Sequence, residues 1–271
     1  MGKVIVVTSG KGGVGKTTSS AALGAALAQN GEKVVVVDFD VGLRNLDLVM
    51  GAERRVVYDL VNVIQGEAKL TQALIRDKRV ETLYLLPASQ TRDKENLTPE
   101  GVEKVIAALK KAFDWVICDS PAGIERGATL AMRHADVAIV VTNPEVSSVR
   151  DSDRIIGLLD SKTLKAESGE RMEKHLLLTR YDPARAERGD MLKVDDVLEI
   201  LSIPLLGIIP ESMDVLRASN LGSPVTLADE GSAPARAYFD AVRRLKGEAL
   251  PVTVPGEKRG FFGKFFGRKA A

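Results

Sequence analysis

Cysteine is nearly absent from this 271-residue chain, in which Cys118 is the only one. A lone thiol excludes an internal disulfide framework, a CxxC metal site and an iron–sulfur centre held by this chain alone. Histidine is almost as scarce, and His134 and His175 are far apart in the sequence. Neither a Ser-His-Asp triad nor a histidine metal cluster can be argued from them, so we expect both to be structural. No apolar run approaches the roughly 20 residues of a membrane-spanning helix.

Excess charge is also lacking, since the net charge is only +1. That balance hides an asymmetry: residues 255–271 carry five cations and one anion, which leaves the rest of the chain at −3. A mildly acidic body argues against a broad nucleic-acid-binding face, so no specific nucleic acid is expected as a partner. We expect no signal peptide, because Met1-Gly2-Lys3 leads directly into a predicted strand. With one cysteine, a reducing, cytoplasmic setting is expected.

What is present is an alternation of short apolar runs with helical patterns. It predicts a doubly wound α/β fold with a mainly parallel sheet and helices on both faces. In such folds, ligands bind where the strands end at their carboxyl edge. The predicted strands are 4–7, 33–38, 83–86, 115–118, 137–141, 176–179 and 205–209. The predicted helices are 18–28, 101–113, 148–159, 195–201 and 233–245. The predicted division of the chain is a domain at 1–247, a Pro/Gly linker at 248–256 and a tail at 257–271.

The first predicted strand runs into a glycine-rich loop that fits the phosphate-loop pattern G-x-x-x-x-G-K-[ST]. Glycines let consecutive backbone N–H groups turn towards phosphate oxygens, and the following helix adds its positive N-terminal end. In this pattern Lys16 reaches the β- and γ-phosphates and the Thr17 hydroxyl ligates Mg²⁺. The alternative is a glycine-rich strand-to-helix turn without a ligand. The predicted nucleotide-binding residues of this loop are Gly10, Lys11, Gly12, Gly13, Val14, Gly15, Lys16, Thr17 and Thr18.

Two further predicted strands end in aspartate. Asp38 ends the second strand and Asp40 follows it, and Asp119 comes directly after the strand at 115–118, which is typical of a Walker B motif. A magnesium nucleotide site needs carboxylates that hold metal-bound waters and orient the attacking water. Asp119 would bind Mg²⁺ through a water, and the backbone N–H of Gly123 could meet a γ-phosphate. The alternative is a set of polar strand termini.

A second lysine near the start of the loop narrows the interpretation. Lys11 to Thr17 match K-G-G-x-G-K-[ST], which resembles the ParA/MinD family of deviant phosphate-loop ATPases. The resemblance implies ATP and Mg²⁺ as cofactors and an ATP-bound homodimer, in which Lys11 acts catalytically by contacting the nucleotide of the other subunit. It also implies that Asp40 positions or activates the attacking water and that Asp38 lies in the Mg²⁺ shell. A solvated loop lysine is the alternative for Lys11.

The same resemblance implies a site for the adenine base between two strand ends. Arg180 would stack on the ring, and backbone groups around Pro210 and Glu211 would contact its edge. Taken alone, these three are loop residues with no specific pattern.

Long segments resemble one branch of that family, the septum site-determining ATPases. These segments are 40–66, 86–92, 142–154 and 175–181, and the similarity extends over nearly the whole chain. It implies a MinC-like division inhibitor and a MinE-like activator of hydrolysis as partners that bind the helix near Ser148. The exposed candidates for that contact are Ser147, Arg150, Asp151 and Asp153. A solvated helix face is the alternative.

The tail supplies a separate physical argument. At 100° per residue its four phenylalanines fall on one side of a helix, with two cations beside them. These residues are Phe261, Phe262, Phe265, Phe266, Lys264 and Arg268. Their pattern predicts an amphipathic segment that binds an anionic phospholipid membrane, and three glycines at about 1 kcal/mol each predict disorder in water. We therefore expect the protein in the cytoplasm and at the cytoplasmic face of the inner membrane. Docking of the tail on the protein itself or on a partner is the alternative.

Three alternative functions fit the sequence less well. A ParA-like ATPase that partitions DNA or other cargo would need a basic face, which the charge of −3 outside the tail does not favour. A redox protein like the nitrogenase iron protein needs paired cysteines from each subunit, and one cysteine excludes it. A nucleotide-dependent scaffold with incidental turnover is disfavoured by the positions of Lys11 and Asp40.

Overall fold

A single eight-stranded sheet organises residues 1–256, the part of the chain that the computed structural model describes. The strands are β1 (Lys3–Thr8), β2 (Val34–Asp38), β3 (Ile75–Arg76), β4 (Leu83–Leu86), β5 (Trp115–Asp119), β6 (Val137–Thr142), β7 (Glu173–Tyr181) and β8 (Leu205–Pro210). Their spatial order is β3-β4-β2-β5-β1-β6-β7-β8. All neighbours are parallel except β3, which pairs antiparallel with β4. The predicted doubly wound fold is confirmed; only the two-residue edge strand β3, too short for a pattern, was not predicted.

The sheet is buried on both faces because its strands are apolar at nearly every position. Every residue of β2 and β6 is buried, as expected for parallel strands covered by helices on both sides. Successive side chains point to opposite faces. Val4 and Val6 accordingly enter one core cluster, whereas Ile5 and Val7 enter the other.

Thirteen α-helices connect and cover the strands within residues 1–256. They are α1 (Lys16–Gln29), α2 (Leu46–Val49), α3 (Leu60–Ile64), α4 (Leu70–Ala73), α5 (Pro99–Ala112), α6 (Arg126–Arg133), α7 (Val146–Leu159), α8 (Leu164–Glu167), α9 (Pro183–Glu187), α10 (Val194–Leu201), α11 (Met213–Asn220), α12 (Val225–Ala228) and α13 (Ala233–Leu245). Helices α1, α12 and α13 cover one face of the sheet, and α5, α6, α7 and α10 cover the other. None of these helices is long and apolar enough to cross a membrane.

Helix α1 packs closely against the sheet because its residues are small. A Cβ on Gly24 would lie 2.6 Å from Cγ2 of Val36, so a larger residue would push the helix outward. The helix begins at Lys16, two residues before the predicted start, with Gly15 in the left-handed region at its N-cap (φ 95°). Lys16 and Thr17 therefore lie in the first helical turn, where backbone N–H groups have no intrahelical acceptor.

The segment after α13 contacts the domain. Arg244 donates hydrogen bonds to the carbonyl oxygens of Leu206, Leu250 and Pro251 at 2.7–2.8 Å. Val254 is buried beyond it. The predicted boundaries at 247 and 256 stay predictions. The predicted membrane residues, which are Phe261, Phe262, Lys264, Phe265, Phe266 and Arg268, lie outside the described residues.

Candidate functional site

The phosphate loop leaves the carboxyl edge of the sheet between β1 and α1. Gly13 and Gly15 have φ of 76° and 95°, a conformation that side-chain-bearing residues rarely adopt. No atom lies within 4 Å of a Cβ built on Gly12, Gly13 or Gly15. The backbone of this stretch is thus accessible from the open side, as a phosphate cradle requires.

Gly10 has a different environment from the other loop glycines. A Cβ there would lie 2.2 Å from the carbonyl carbon and oxygen of Asp151 in α7, and Gly10 does not line the cleft. Its predicted role in nucleotide binding stays a prediction, and the structure shows a packing reason for glycine at this position. This glycine brings the phosphate loop into direct contact with the helix that carries the predicted partner surface.

The contact between Gly10 and Asp151 predicts that alanine destabilises the protein at Gly10 but not at Gly12. Gly10→Ala should lower the free energy of unfolding by about 2 kcal/mol or more, because the new methyl group meets backbone that cannot rotate away. Gly12→Ala is the matched control, since its Cβ meets nothing within 4 Å. Urea unfolding of both variants without nucleotide measures the difference. Equal stability of the two variants would show that α7 yields easily at Asp151.

Lys16 is almost completely buried at the base of the cleft. Its Nζ donates a hydrogen bond to Oγ of Ser9 at 2.9 Å, and Oγ of Ser9 donates to the carbonyl oxygen of Lys11 at 2.7 Å. Burial lowers the pKa of Lys16, although the negative charges of Asp119 and Asp40 partly offset this effect. Ser9 was not predicted from the sequence; it holds both the lysine and the loop in place.

Two carboxyl groups lie side by side beneath the loop. Asp38 and Asp119 are opposite each other in the β2–β5 register and are 1% and 2% exposed. Asp119 accepts a hydrogen bond from Oγ of Ser20 at 2.8 Å, whereas Asp38 accepts the backbone N–H groups of Asp40 and Leu46 at 2.8 and 3.3 Å. Burial raises the pKa of Asp119 to about 6, against hydrogen bonds from Thr17 and Ser20. Burial and the neighbouring Asp119 raise the pKa of Asp38 well above its usual range.

This pair fits a hard divalent cation. Two buried carboxyl groups with raised pKa values are stabilised when a cation compensates their charge. Among residues 1–256 no group of three or more His, Cys, Asp or Glu side chains could hold a metal ion. Mg²⁺ commonly uses one or two carboxylates together with phosphate oxygens and water, so the pair and the Thr17 hydroxyl are a sufficient protein contribution.

The buried pair predicts a pH dependence of stability without Mg²⁺ and nucleotide. Because the folded-state pKa of Asp119 is raised from 3.8 to about 6, the folded state binds more protons than the unfolded state between these values. The free energy of unfolding therefore falls as pH rises through this window and stays low above it. Asp119→Asn removes the charge and should raise the free energy of unfolding at about pH 7.5 by roughly 1–3 kcal/mol.

Urea unfolding of the wild type and Asp119→Asn at about pH 5 and pH 7.5 measures this effect. Glu187→Gln is the control, since Glu187 is an exposed carboxylate away from the cleft. If Asp119→Asn is less stable than the wild type at the higher pH, the ionised Asp119 does not destabilise the folded state.

Asp40 lies at the wall of the phosphate part of the cleft. It is half-buried, and burial raises its pKa while the charges of Lys16 and Lys94 act in the opposite direction. Lys94 forms an ion pair with Glu125, and both residues line the same cavity as Asp40. These two were missed by sequence reasoning because neither follows a predicted strand or belongs to a motif.

The cleft has two connected parts. The phosphate part is a cavity of about 590 Å³ that contains the loop glycines, Lys16, Thr17 and Asp40. The second part is a cavity of about 480 Å³ between the ends of β7 and β8. Gly15, Thr18 and Arg180 line both cavities, so the two form one continuous cleft.

The second cavity contains the three residues predicted to hold adenine, Arg180, Pro210 and Glu211. Arg180 adopts a left-handed backbone conformation (φ 53°) at the end of β7. Six further lining residues were not predicted, because they come from α11 and its N-cap and from one tyrosine of α13. These residues are Ser212, Met213, Val215, Leu216, Ser219 and Tyr238. A mostly apolar pocket beside a phosphate loop suits an aromatic base.

Two predicted residues have other contacts in this structure. The backbone N–H of Gly123 donates to the carbonyl oxygen of Ser9 at 3.0 Å. Its predicted bond to a γ-phosphate therefore requires an exchange of acceptor. Lys11 is exposed and lines neither cavity: its Nζ donates to Oγ of Ser147 at 3.1 Å and lies 3.5 Å from the carboxylate of Glu145. Lys11 is thus outside the cleft of its own subunit.

The predicted partner residues lie on α7. Ser147, Arg150 and Asp153 are exposed. The side chain of Asp151 is only 35% exposed, which corrects the expectation that all four are exposed. The reason is the contact with Gly10, which turns this part of α7 towards the loop.

Comparison with known proteins identifies the family. A family model described as "AAA domain" matches residues 2–167. The septum site-determining protein MinD of Escherichia coli (strain K12) is 63% identical over 270 residues, which cover 98% of this chain and 100% of that protein. The chain belongs to the MinD family of septum site-determining proteins. The resemblance seen in the sequence is thereby confirmed, and MinD, a branch of phosphate-loop ATPases, is favoured over a ParA-like protein.

Solved MinD structures have the same fold as this chain. A chain of the MinC:MinD cell division protein complex of Aquifex aeolicus superposes with a TM-score of 0.81 at 43% identity, covering 93% of this chain and 99% of that one. The Pyrococcus horikoshii MinD complexed with Mg-ADP gives a TM-score of 0.80 at 32% identity, covering 91% of this chain and 97% of that one.

Proposed function

We propose that this protein is a Mg²⁺-dependent ATPase whose bound nucleotide switches it between a free and a membrane-bound form. With ATP it forms a homodimer, binds the cytoplasmic face of the inner membrane through residues 257–271, and recruits a MinC-like division inhibitor. A MinE-like partner stimulates hydrolysis and reverses the process. The observation that carries the proposal is the continuous cleft, which joins the phosphate loop, the aspartate pair and an apolar base pocket in one site.

The arrangement of the cleft supports hydrolysis rather than binding alone. In hydrolysis, water attacks the γ-phosphorus, the bond to the β-phosphate oxygen breaks, and ADP and inorganic phosphate leave. Mg²⁺ held by Thr17, Asp38 and Asp119 would neutralise negative charge on the phosphates. Lys16 places a cation at the base of the cleft, and Asp40 offers a carboxylate at its wall. A half-buried carboxylate with a raised pKa is suited to orienting water and accepting a proton.

The rim of the cleft supports a dimer closed across the nucleotide. Four large apolar side chains, Leu43, Leu48, Met213 and Leu216, line the two cavities and are 51–67% exposed. Exposed apolar residues grouped around a ligand cleft are typical of an interaction surface. Lys11 lies outside its own cleft, so a contact with nucleotide in the other subunit is compatible with its position.

The proposal of a MinC-like partner rests on the position of α7 and on a related MinD structure that was solved in a complex. The Aquifex aeolicus structure is a MinC:MinD complex. In this chain the phosphate loop touches α7 at Gly10, and Lys11 touches it at Ser147. If nucleotide binding displaces the loop or Lys11, the residues of α7 that they contact would therefore move as well. This contact gives a direct route from the nucleotide to partner affinity.

The assembly proposal is tested by light scattering after gel filtration. With ATP and Mg²⁺ the protein should elute as a dimer, and with ADP and Mg²⁺ as a monomer. Leu48→Glu places a charge on the rim and should leave a monomer in both nucleotides, whereas Leu164→Glu, on an exposed apolar residue that lines neither cavity, should behave as the wild type. An oligomeric state that is independent of the nucleotide would overturn the proposal.

The partner step has its own test. A MinC-like protein of the same organism should bind immobilised, ATP-loaded wild type more tightly than the ADP-loaded form. Arg150→Glu on α7 should weaken that binding, whereas Arg188→Glu, an exposed arginine on another helix end, should not. Equal binding by both variants would remove α7 from the partner surface.

A further inference from the structure

Arg79 joins two loops that are far apart in the sequence. It lies in the turn between β3 and β4, and its Nε and Nη2 donate to the carboxylate of Asp77 at 3.1 and 2.7 Å. Nη2 also donates to the carbonyl oxygen of Met50 at 3.0 Å, and Nη1 donates to that of Gly222 at 3.2 Å. Asp77, which is 8% exposed, holds the guanidinium plane in a fixed orientation. One side chain therefore bridges the Met50 and Gly222 loops.

The two loops also touch each other without any side chain between them. A Cβ on Gly51 would lie 2.4 Å from the carbonyl oxygen of Gly222, and a Cβ on Gly222 would lie 2.7 Å from Cα of Gly51. Both residues have positive φ, 65° and 63°. The approach is possible only for glycine on both sides. We refer to Asp77, Arg79, Gly51 and Gly222 together as the clasp.

Each loop of the clasp directly follows a helix that lines the nucleotide cleft. Helix α2 ends at Val49, and both Leu48 and Val49 line the phosphate cavity. At its other end α2 is held by Asp38, which accepts the backbone N–H of Leu46 at 3.3 Å. Helix α11 ends at Asn220, and its residues Met213, Val215, Leu216 and Ser219 line the base cavity. The clasp thus links the phosphate part and the base part of the cleft from behind.

We propose that Arg79 is a positioning residue that fixes α11 relative to α2, so that the base pocket and the phosphate cradle can be filled by one nucleotide at the same time. This inference depends on the nucleotide site of the proposed function. Arg79 lines neither cavity; it acts through Met50 and Gly222. Without the clasp, α11 can move away from α2, and the affinity contributed by the base is lost while the phosphate contacts remain.

The proposal is distinguished from a merely structural role by comparing two ligands. ADP uses both parts of the cleft, whereas inorganic tripolyphosphate uses only the phosphate part. Calorimetry with each ligand in the presence of Mg²⁺ gives the ratio of the two dissociation constants. A purely structural defect lowers the stability of the protein and weakens the binding of both ligands by the same factor, so the ratio of dissociation constants does not change. A loss of positioning weakens the binding of ADP and leaves the binding of tripolyphosphate unchanged.

Two clasp variants with matched controls are suited to the experiment. Arg79→Gln removes the guanidinium group that contacts Asp77, Met50 and Gly222. Its control is Arg133→Gln, which removes a bidentate contact to Glu167 away from the cleft. Gly222→Ala forces the loops apart, and its control is Gly66→Ala. Gly66 has a similar φ of 75°, but a Cβ there meets nothing within 4 Å. The control therefore carries the backbone strain without the clash.

The expected result is an ADP dissociation constant about tenfold higher in both clasp variants, with the tripolyphosphate constant unchanged and with both controls equal to the wild type. An unchanged ratio in both clasp variants, whether the two ligands weaken together or not at all, overturns the inference. Failure of the wild type to bind ADP would instead overturn the proposed function. Because the two clasp variants act through different residues, poor folding of one leaves the other to decide.

Discussion

Asp40→Ala is expected to bind ATP about as tightly as the wild type and to hydrolyse it at least about a hundredfold more slowly. Asp40 lies at the cleft wall, and the substitution leaves in place Lys16 and the loop backbone, which are the groups proposed to bind the phosphates. Asp119, whose charge also faces Lys16, remains in the variant as a counter-charge for this buried lysine. The variant should therefore accumulate in the ATP-bound form. Single-turnover hydrolysis and ATP binding measured on the same sample separate the two effects.

Glu95→Ala is the matched control for that experiment. Glu95 is an exposed carboxylate next to Lys94 on the same side of the molecule, but it does not line the cleft. It should hydrolyse ATP at the wild-type rate. Normal turnover by Asp40→Ala would remove Asp40 from its assigned role, and a loss of ATP binding would make it a binding residue instead.

Alanine substitution of the two loop lysines is expected to affect ADP binding by the monomer to very different extents. Lys16→Ala should weaken ADP binding by at least about a hundredfold, because a buried cation at the base of the cleft is lost opposite the phosphates. Lys11→Ala should leave ADP binding within about threefold of the wild type, because Lys11 lies on Ser147 and Glu145 outside its own cleft. Its ATP turnover should nevertheless fall, since the proposed role of Lys11 is in the other subunit.

Titration of a fluorescent ADP analogue at low protein concentration measures both constants. Weak ADP binding by monomeric Lys11→Ala would place that lysine in its own site. Full ATP turnover by Lys11→Ala would leave it without a role in the dimer.

The strand ends could be predicted because a parallel sheet gathers them at one edge. A buried run ending in Asp38 and another ending in Asp119 were enough to expect the two carboxyl groups together, and β2 and β5 place them opposite each other. The loop glycines with positive φ were also predictable, since the phosphate-loop pattern specifies them. In both cases the information is local and the sheet supplies the long-range order.

The base pocket could be predicted only in part, because most of its lining belongs to helices. Met213, Val215 and Leu216 face the cavity from α11, and their spacing alone does not say which neighbour the helix packs against. The roles of Gly10 and Gly222 are likewise invisible in the sequence. Each depends on the backbone of a distant segment, at Asp151 and Gly51, and a glycine pattern does not name its partner.

Sedimentation with liposomes containing anionic phospholipid tests the central claim most directly, because it joins the nucleotide in the cleft to the behaviour of the whole molecule. The wild type should sediment with liposomes in ATP and Mg²⁺ and remain in the supernatant in ADP and Mg²⁺. A chain without residues 257–271 should remain in the supernatant in both nucleotides while still binding ATP. Equal sedimentation of the wild type in ATP and in ADP would contradict the account.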